Sequence, residues 1–261
     1  MGRKKIQPES YQKRTYRLSM EQSDLVSCLV QIKETDLHIQ ADRDVTKKAS
    51  ELVLQYRLQI EGYIPDHPGF LTSLIPLPMD ALAPPVVRDM LQASEAAGVG
   101  PMAAVAGSIA AFVGKKLVSE GVSEIIVENG GDIFLQRQKE CTIAIFAGQS
   151  VLSNKVGLVL SPGQMPCGIC TSSGTVGHSL SLGKADSVTV VAQSAAFADA
   201  VATLIGNEVG GANGGKAGIS RALEKAKEMA GIMGAVVICG DLLGAVGDVR
   251  LTRLDRRSLL D

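Results

Sequence analysis

The order of hydrophobic and polar positions predicts groups of strands followed by helices. Apolar and polar residues alternate at 16–20, 25–32 and 36–40, which is the pattern of short, half-buried strands. From Asp44 the apolar residues recur at helical spacing until about Gly62, ahead of Pro65. The first part of the chain therefore predicts an antiparallel sheet with a helix packed on it.

The same arrangement of strands and helices returns in the second half. Helical spacing covers 86–97, 101–120, 195–206 and 216–229, and strand patterns cover 124–127, 133–136, 142–146, 157–160, 168–171, 187–192, 235–239 and 244–251. We predict a single α+β domain over 1–261, with two α/β lobes, roughly 14–120 and 121–251, that form a pseudo-repeat of mixed or antiparallel sheet and helices. Residues 1–13 and 252–261 are predicted to be tails.

Composition and charge narrow the class of protein. The chain has 261 residues, is 46% apolar and carries a formal net charge of −1, so it can bury a large core but has no strong field for nucleic acid or an anionic membrane. The polar start lacks the apolar centre of a signal peptide, and no run of about 20 uninterrupted apolar residues occurs. We expect a cytoplasmic protein that binds neither nucleic acid nor membranes.

A turn with two glycines and an acid follows an apolar run. Asn129, Gly130, Gly131 and Asp132 come soon after 125–127, and glycine permits positive φ or the close approach of a ligand. A nucleotide phosphate is one reason for such a turn. An ordinary hairpin between two strands is the other, and the sequence leaves both open.

Asp199 and Thr203 are spaced to share one side of a predicted helix. They lie four residues apart, so both side-chain oxygens face the same way, and such oxygens suit a hard cation such as Mg²⁺. The alternative is a surface aspartate beside a threonine that bonds to its own helix. The pair therefore predicts a metal site only in combination with other polar segments.

A third polar segment, 171–178, supplies hydroxyls, glycines and one imidazole. Its candidate site residues are Ser172, Ser173, Gly174 and His178, which suit phosphate binding and proton transfer. A polar turn between strands with a structural histidine is the alternative. Because the three segments occur together, we predict a metal-assisted site for a nucleotide or cofactor.

Two further motifs are rejected. Residues 210–216 match the glycine and lysine positions of a P-loop, but Ala217 stands where the Mg²⁺-binding hydroxyl is needed and the preceding segment is helical. Cys167 and Cys170 have C-x-x-C spacing, but no second pair completes a zinc site. We expect the five cysteines to be reduced and mostly buried.

The two-glycine turn, the polar segment 171–178 and the helix with Asp199 and Thr203 follow one another along the chain. In this order they resemble the motifs of the ApbE superfamily, whose best-known members are FAD:protein FMN transferases. The stretches 99–107, 128–133 and 171–178 are more similar still to the UPF0280 branch of that superfamily. The resemblance implies an ApbE-like fold, Mg²⁺ and FAD or a related flavin nucleotide as cofactors, and an acceptor protein as a partner.

The resemblance also implies roles for individual residues. Asp199, Thr203 and a backbone carbonyl near Val105 would bind the metal, and His178 would lie near the chemistry. The remaining candidates would contact the dinucleotide: Asn129, Gly130, Gly131, Asp132, Ser172, Ser173 and Gly174.

The sequence departs from the transferases where chemistry would occur. Ala106 stands where they have a lysine before the glycine, and only three residues separate Gly174 from His178, where they have a longer hairpin. Lys184 is a candidate to restore the positive charge. Three hypotheses follow: a diverged Mg²⁺-dependent transferase or pyrophosphate-cleaving enzyme, a non-catalytic flavin or nucleotide sensor or carrier, and a structural protein whose fold serves only oligomer contacts. The third does not explain why Asp199 and the hydroxyls occur together. The Ala/Gly-rich helix at 101–120 also predicts a close homodimer contact.

Overall fold

A computed structural model describes residues 24–174, 185–209 and 215–254 of the chain. The strands are β1 Val26–Ile32, β2 Thr35–Ala41, β3 Ile125–Asn129, β4 Asp132–Gln136, β5 Cys141–Ala144, β6 Val156–Leu160, β7 Cys167–Ser172, β8 Ser187–Ala192, β9 Ile232–Cys239, β10 Leu242–Gly247 and β11 Arg250–Arg253. The helices are α1 Thr46–Tyr63, α2 Gly69–Thr72, α3 Pro85–Ala97, α4 Val105–Ser119, α5 Ala195–Glu208 and α6 Lys216–Glu228.

Eight of these strands form one antiparallel sheet. Their order is β1-β2-β3-β4-β7-β8-β9-β10, and a second antiparallel sheet has the order β11-β6-β5. In the larger sheet β2 pairs directly with β3, so strands from both predicted lobes share one sheet. The predicted α+β class with antiparallel sheet is confirmed, whereas the division into lobes stays a prediction.

The larger sheet is covered on both faces. On β3, Ile125 and Val127 belong to the core beneath the helices, and Ile126 belongs to the core beneath the smaller sheet. Burial on both faces explains why β3 has a continuous apolar run instead of alternating polar and apolar residues. The helices therefore lie on one side of the larger sheet and the smaller sheet on the other.

Helix α4 approaches its neighbours closely because of two glycines. A Cβ atom added at Gly114 would lie 2.1 Å from Cδ1 of Phe134, and one added at Gly107 would lie 2.4 Å from the carbonyl oxygen of Ala195. The small residues of this helix thus serve contacts within the chain. The homodimer contact predicted from this Ala/Gly-rich helix stays a prediction, and the packing of α4 within the chain does not support it.

Residues 101–119 also differ from expectation in two ways. The segment begins as a 3-10 turn, Pro101–Ala104, before α4 starts. By length and composition alone, Pro101–Ser119 is sufficiently long and apolar to cross a membrane, contrary to the sequence estimate, and half of it is buried in the fold. Core helices pass the same test, and α4 packs on β3, β4 and α5.

One predicted strand was wrong and another cannot be compared. The predicted strand at 244–251 is two strands, β10 and β11, which belong to different sheets. Gly247, the last residue of β10, has a φ of 82°, and a Cβ atom there would lie 2.4 Å from the carbonyl oxygen of Met233. The chain therefore turns where the apolar pattern continues. The predicted strand at 16–20 lies outside the described residues.

Candidate functional site

The two-glycine turn is a tight hairpin between β3 and β4. Asn129 pairs with Asp132, and the central residues Gly130 and Gly131 have φ values of 69° and 106°. A two-residue hairpin turn whose twist matches that of the flanking strands requires positive φ at both central residues. The amide of Gly131 donates to Oε1 of Glu128 at 2.7 Å. The hairpin interpretation is confirmed for the backbone, and ligand contact by the glycines stays a prediction.

The side chains at the two ends of this turn point toward the helices. Nδ2 of Asn129 donates to the carbonyl oxygen of Ala106 in α4 at 3.1 Å. Oδ1 of Asp132 accepts from the amide of Thr171 at 3.2 Å, and Asp132 lies opposite Cys170 in the sheet. The hairpin therefore brings an amide and a carboxylate to the beginning of α4.

Asp199 reaches the same place from α5. Its Oδ2 accepts from the amide of Gly107 at 2.9 Å. The N-cap residue of α4, Ala104, provides no side-chain hydrogen bond, so the carboxylate of α5 satisfies an amide at the start of α4. The absence of a Cβ at Gly107 makes room for this contact, since such an atom would lie 2.9 Å from Cβ of Asp199.

Burial raises the proton affinity of both carboxylates. Burial raises the pKa of Asp132 to about 7, with a smaller contribution from the charge of Glu128, against the lowering effects of the Thr171 amide and the Cys170 thiol. Burial also raises the pKa of Asp199 well above its ordinary range, and the charge of Asp132 adds to the shift. No lysine or arginine in the described ranges offsets this repulsion. A bound cation would do so.

The atoms that could act as metal ligands here are of the type that Mg²⁺ prefers. Thr203 lies one turn after Asp199 on α5, and Val105 begins α4 directly before the residues that contact Asn129 and Asp199. Ser50 and Ser119 donate to carbonyls of their own helices, whereas the Thr203 hydroxyl forms no such bond to a described residue. All of these donors are oxygens, which Mg²⁺ prefers.

Side chains alone do not form a complete metal centre. Within the described residues, no three His, Cys, Asp or Glu side chains are grouped to hold a metal ion. A magnesium ion beside Asp132 and Asp199 would therefore need hydroxyl, backbone, water or phosphate oxygens as further ligands. Mg²⁺ commonly binds in this way, through one or two carboxylates and the phosphates of its substrate.

The structure describes the first part of the third polar segment. Ser172 lies on the face of β7 that carries Cys170, which is the face of Asp132, and Ser173 follows the end of the strand. The amide of Gly174 donates to the carbonyl of Ala185 at 3.0 Å. His178 and Lys184 lie outside the described residues.

Sequence reasoning missed three contributors to this site. Cys170 and Thr171 border Asp132, and the thiol of Cys170 donates to the carbonyl of Ala195 at 3.2 Å. The amide of Gly107 binds Asp199. Only the register of β4 against β7 and the approach of α4 to α5 show these roles, and neither can be read from local patterns.

The rejected motifs remain rejected. Cys167 packs in the core beneath the smaller sheet and Cys170 in the core beneath the helices, so the two sulfurs lie on opposite faces of β7 and cannot bind one metal ion. Burial raises the pKa of Cys167 to about 12. The element before 210–216 is helix α5, as predicted, and residues 210–214 lie outside the described part.

These environments predict that buried thiols react slowly in the folded chain. Cys141, Cys167 and Cys170 are buried with raised pKa values, whereas Cys239 is partly exposed. We expect a thiol reagent such as DTNB to modify Cys239 more than about tenfold faster than these three, because the thiolate is the nucleophile. Mass spectrometry of labelled peptides would identify the sites; equally fast labelling of Cys170 would contradict its buried position.

The chain is similar to known proteins over most of its length. A family model described as AbpE bacteria matches residues 17–251. A UPF0280 protein from Methanothermobacter thermautotrophicus is 45% identical over 212 residues, which cover 81% of this chain and 82% of the relative. A UPF0280 protein from Methanocaldococcus jannaschii is 48% identical over 179 residues, which cover 67% and 72%, respectively.

Solved structures share the fold at much lower sequence identity. The flavin transferase ApbE from Vibrio cholerae has a TM-score of 0.56 at 15% identity and covers 85% of this chain and 96% of its own. The flavinyl transferase ApbE from Pseudomonas stutzeri, in its apo form, has a TM-score of 0.52 at 16% identity and covers 85% and 93%. The match to the family model and to the UPF0280 relatives, together with this fold, shows that the chain belongs to the UPF0280 family of ApbE-like proteins.

Proposed function

We propose that this chain binds a flavin nucleotide or a related dinucleotide, together with Mg²⁺, at the place where Asp132 and Asp199 meet. We call this place the carboxylate site and define it by Asp132, Asp199, Gly107 and the carbonyl of Ala106. The observation that carries the proposal is that Asp199, which binds the amide of Gly107 at the beginning of α4, lies close enough to Asp132 for the charge of Asp132 to raise its pKa. Such a site favours a divalent cation.

The choice of a flavin ligand is supported by the fold neighbours. The two neighbours described above are a flavin transferase and a flavinyl transferase. A dinucleotide also suits the chemistry of the site, because its pyrophosphate oxygens supply the further ligands that the protein side chains leave open. The hairpin residues Gly130 and Gly131 and the hydroxyl of Ser172 are the candidates for ligand contacts.

Asp199, Asp132 and Thr203 would hold the metal, with a backbone carbonyl of the first turn of α4. When bound, Mg²⁺ neutralises charge on the pyrophosphate and on the departing phosphate. The protein's own part is to fix these oxygens: the Gly107 amide orients Asp199, and the Thr171 amide orients Asp132. Positioning of this kind accounts for much of the catalysis of phosphoryl transfer.

The proposed reaction is transfer of FMN from FAD to a hydroxyl group of an acceptor protein or of water. The hydroxyl oxygen bonds to the phosphorus on the FMN side, the bond to the AMP phosphate breaks, and AMP leaves with the electron pair. The hydroxyl proton passes to a general base, for which His178 is the candidate. A carrier that binds flavin without this reaction is the second function, and Ala106 favours it because the transferases have a lysine there.

The test is incubation of the purified chain with FAD and Mg²⁺, followed by chromatography. We expect AMP to be released, with FMN free or attached to protein, and EDTA to stop the release because the pyrophosphate charge is then not neutralised. FAD that binds but stays intact would assign the carrier function. Neither binding nor cleavage of FAD, with or without Mg²⁺, would contradict the proposal.

A further inference from the structure

Asn129 connects the hairpin that carries Asp132 to the start of α4, which binds Asp199. It is the last residue of β3 and is 7% exposed, and its Nδ2 donates to the carbonyl of Ala106 in the first turn of α4. The next residue of α4, Gly107, donates its amide to Asp199. Asp132 follows Asn129 across the hairpin turn. One side-chain amide thus links the strand hairpin that carries Asp132 to the helix end that binds Asp199.

Two other hydrogen bonds of the hairpin region lie within the sheet. Glu128 binds the amide of Gly131 within the turn itself, and the Thr171 amide fixes Asp132 to β7 in the same sheet. Both act within the sheet. The hydrogen bond from Asn129 to Ala106 joins the turn to α4.

The backbone at this point has little freedom to adjust. A Cβ atom at Gly107 would lie 2.4 Å from the Ala195 carbonyl, so the start of α4 is pressed against α5. The Gly130-Gly131 turn fixes the opposite end of the link, because both residues have positive φ. A hydrogen bond between two such rigid parts holds Asp132, on the hairpin, at a set distance from the α4 amide that binds Asp199.

We propose that Asn129 is a positioning residue of the carboxylate site, which sets the distance between Asp132 and Asp199 for a shared divalent cation. This inference rests on the proposed function. It gives Asn129 a role other than the dinucleotide contact that the family resemblance implies. Partners that orient metal ligands typically change metal affinity by about 10- to 100-fold when removed.

The experiment measures binding of Mn²⁺, a spectroscopic substitute for Mg²⁺, to the full chain by electron paramagnetic resonance. The variant Asn129→Leu keeps the approximate volume and removes the donor; Asn129→Ala is the second variant if the first fails to fold. The matched control is Ser94→Ala. Ser94 is fully buried and also donates to a backbone carbonyl, that of Val99, but makes none of the contacts of the carboxylate site.

We expect Asn129→Leu to bind Mn²⁺ about tenfold more weakly than the unsubstituted chain. Ser94→Ala should lower the melting temperature by a similar amount and bind Mn²⁺ with unchanged affinity, because it loses the same kind of buried hydrogen bond elsewhere. Unchanged Mn²⁺ affinity in the Asn129 variant, with a lowered melting temperature, would reduce Asn129 to a structural role and overturn the inference.

The unsubstituted chain separates this failure from failure of the proposed function. If it binds Mn²⁺ and the Asn129 variants bind equally well, only the positioning role is wrong. If it binds no Mn²⁺ either alone or with FAD, the cation site is wrong and the inference fails with it.

Discussion

The variant Gly107→Ala is expected to be strongly destabilised and to lose metal-dependent ligand binding. The new methyl group would lie 2.4 Å from the carbonyl oxygen and 2.8 Å from the carbonyl carbon of Ala195, and these backbone atoms cannot rotate away as the end of a side chain could. Overpacking of this kind costs about 1–3 kcal/mol. The amide that binds Asp199 must then move. Differential scanning calorimetry and titration with FAD and Mg²⁺ would measure the two effects.

The same substitution at Gly62 provides the control. Gly62 lies in α1 with no atom within 4 Å of an added Cβ and without positive φ, so Gly62→Ala should raise stability by about 0.5–1 kcal/mol and leave binding unchanged. A Gly107→Ala variant that melts as high as the unsubstituted chain would show that α4 and α5 can separate freely. The close approach would then be unnecessary for the fold.

Local patterns were sufficient to predict most elements because local chemistry sets their ends. Helix α5 was predicted at 195–206 and extends over Ala195–Glu208; Ser194 precedes it and accepts a hydrogen bond from the amide of Phe197. Helix α3 begins at Pro85, where a proline has no amide to leave unsatisfied, and its C-cap Gly98 has a φ of 72°. Propensity and tertiary structure agree at these positions.

The sequence could not show how one apolar run is divided between two sheets. Apolar residues continue on both sides of the Gly247-Asp248 pair, and this pair is the local sign of a break. The break is accompanied by a close approach of Gly247 to Met233 in the paired strand β9, and by the pairing of β11 with the distant strand β6. Only tertiary contacts decide between one long strand and two short ones.

The candidate site was predicted as parts but not as an arrangement. The sequence indicated the Gly130-Gly131 turn and the helix with Asp199, and the resemblance joined them through a family motif order. Register places Asp132 opposite Cys170, and the glycine at 107 allows Asp199 to reach α4. Both facts depend on neighbouring strands and helices. The structure adds the physical reason why the two acids meet, which is the close packing of α4 on α5 beside the β3–β4 hairpin.

The variant Asp199→Asn separates a functional carboxylate from a structural one. As a cap for α4, the side chain needs only an oxygen that accepts from the Gly107 amide, and asparagine has one. As a metal ligand, it needs its charge. We therefore expect Asp199→Asn to lose Mg²⁺-dependent binding of FAD by at least about tenfold, with the fold intact.

The same variant should melt at an equal or higher temperature. Burial and the charge of Asp132 raise the pKa of Asp199 in the folded chain, so the folded state holds the proton more strongly than the unfolded state. Stability contributed by this group is then lost as pH rises through the raised pKa, and at neutral pH its ionisation opposes folding. Asparagine removes that cost, and the gain over the unsubstituted chain should shrink as pH is lowered.

Asp89→Asn is the matched control for this experiment. Asp89 is also an acid whose burial raises its pKa; it accepts from the Ser108 hydroxyl at 3.3 Å, and its pKa is not shifted by Asp132 or Asp199. It should gain stability without any change in Mg²⁺ or FAD binding. Loss of binding in Asp199→Asn alone would show that Mg²⁺-dependent binding of FAD needs the charge of Asp199. Full binding in both variants would mean that Asp199 is only a helix cap and not a metal ligand.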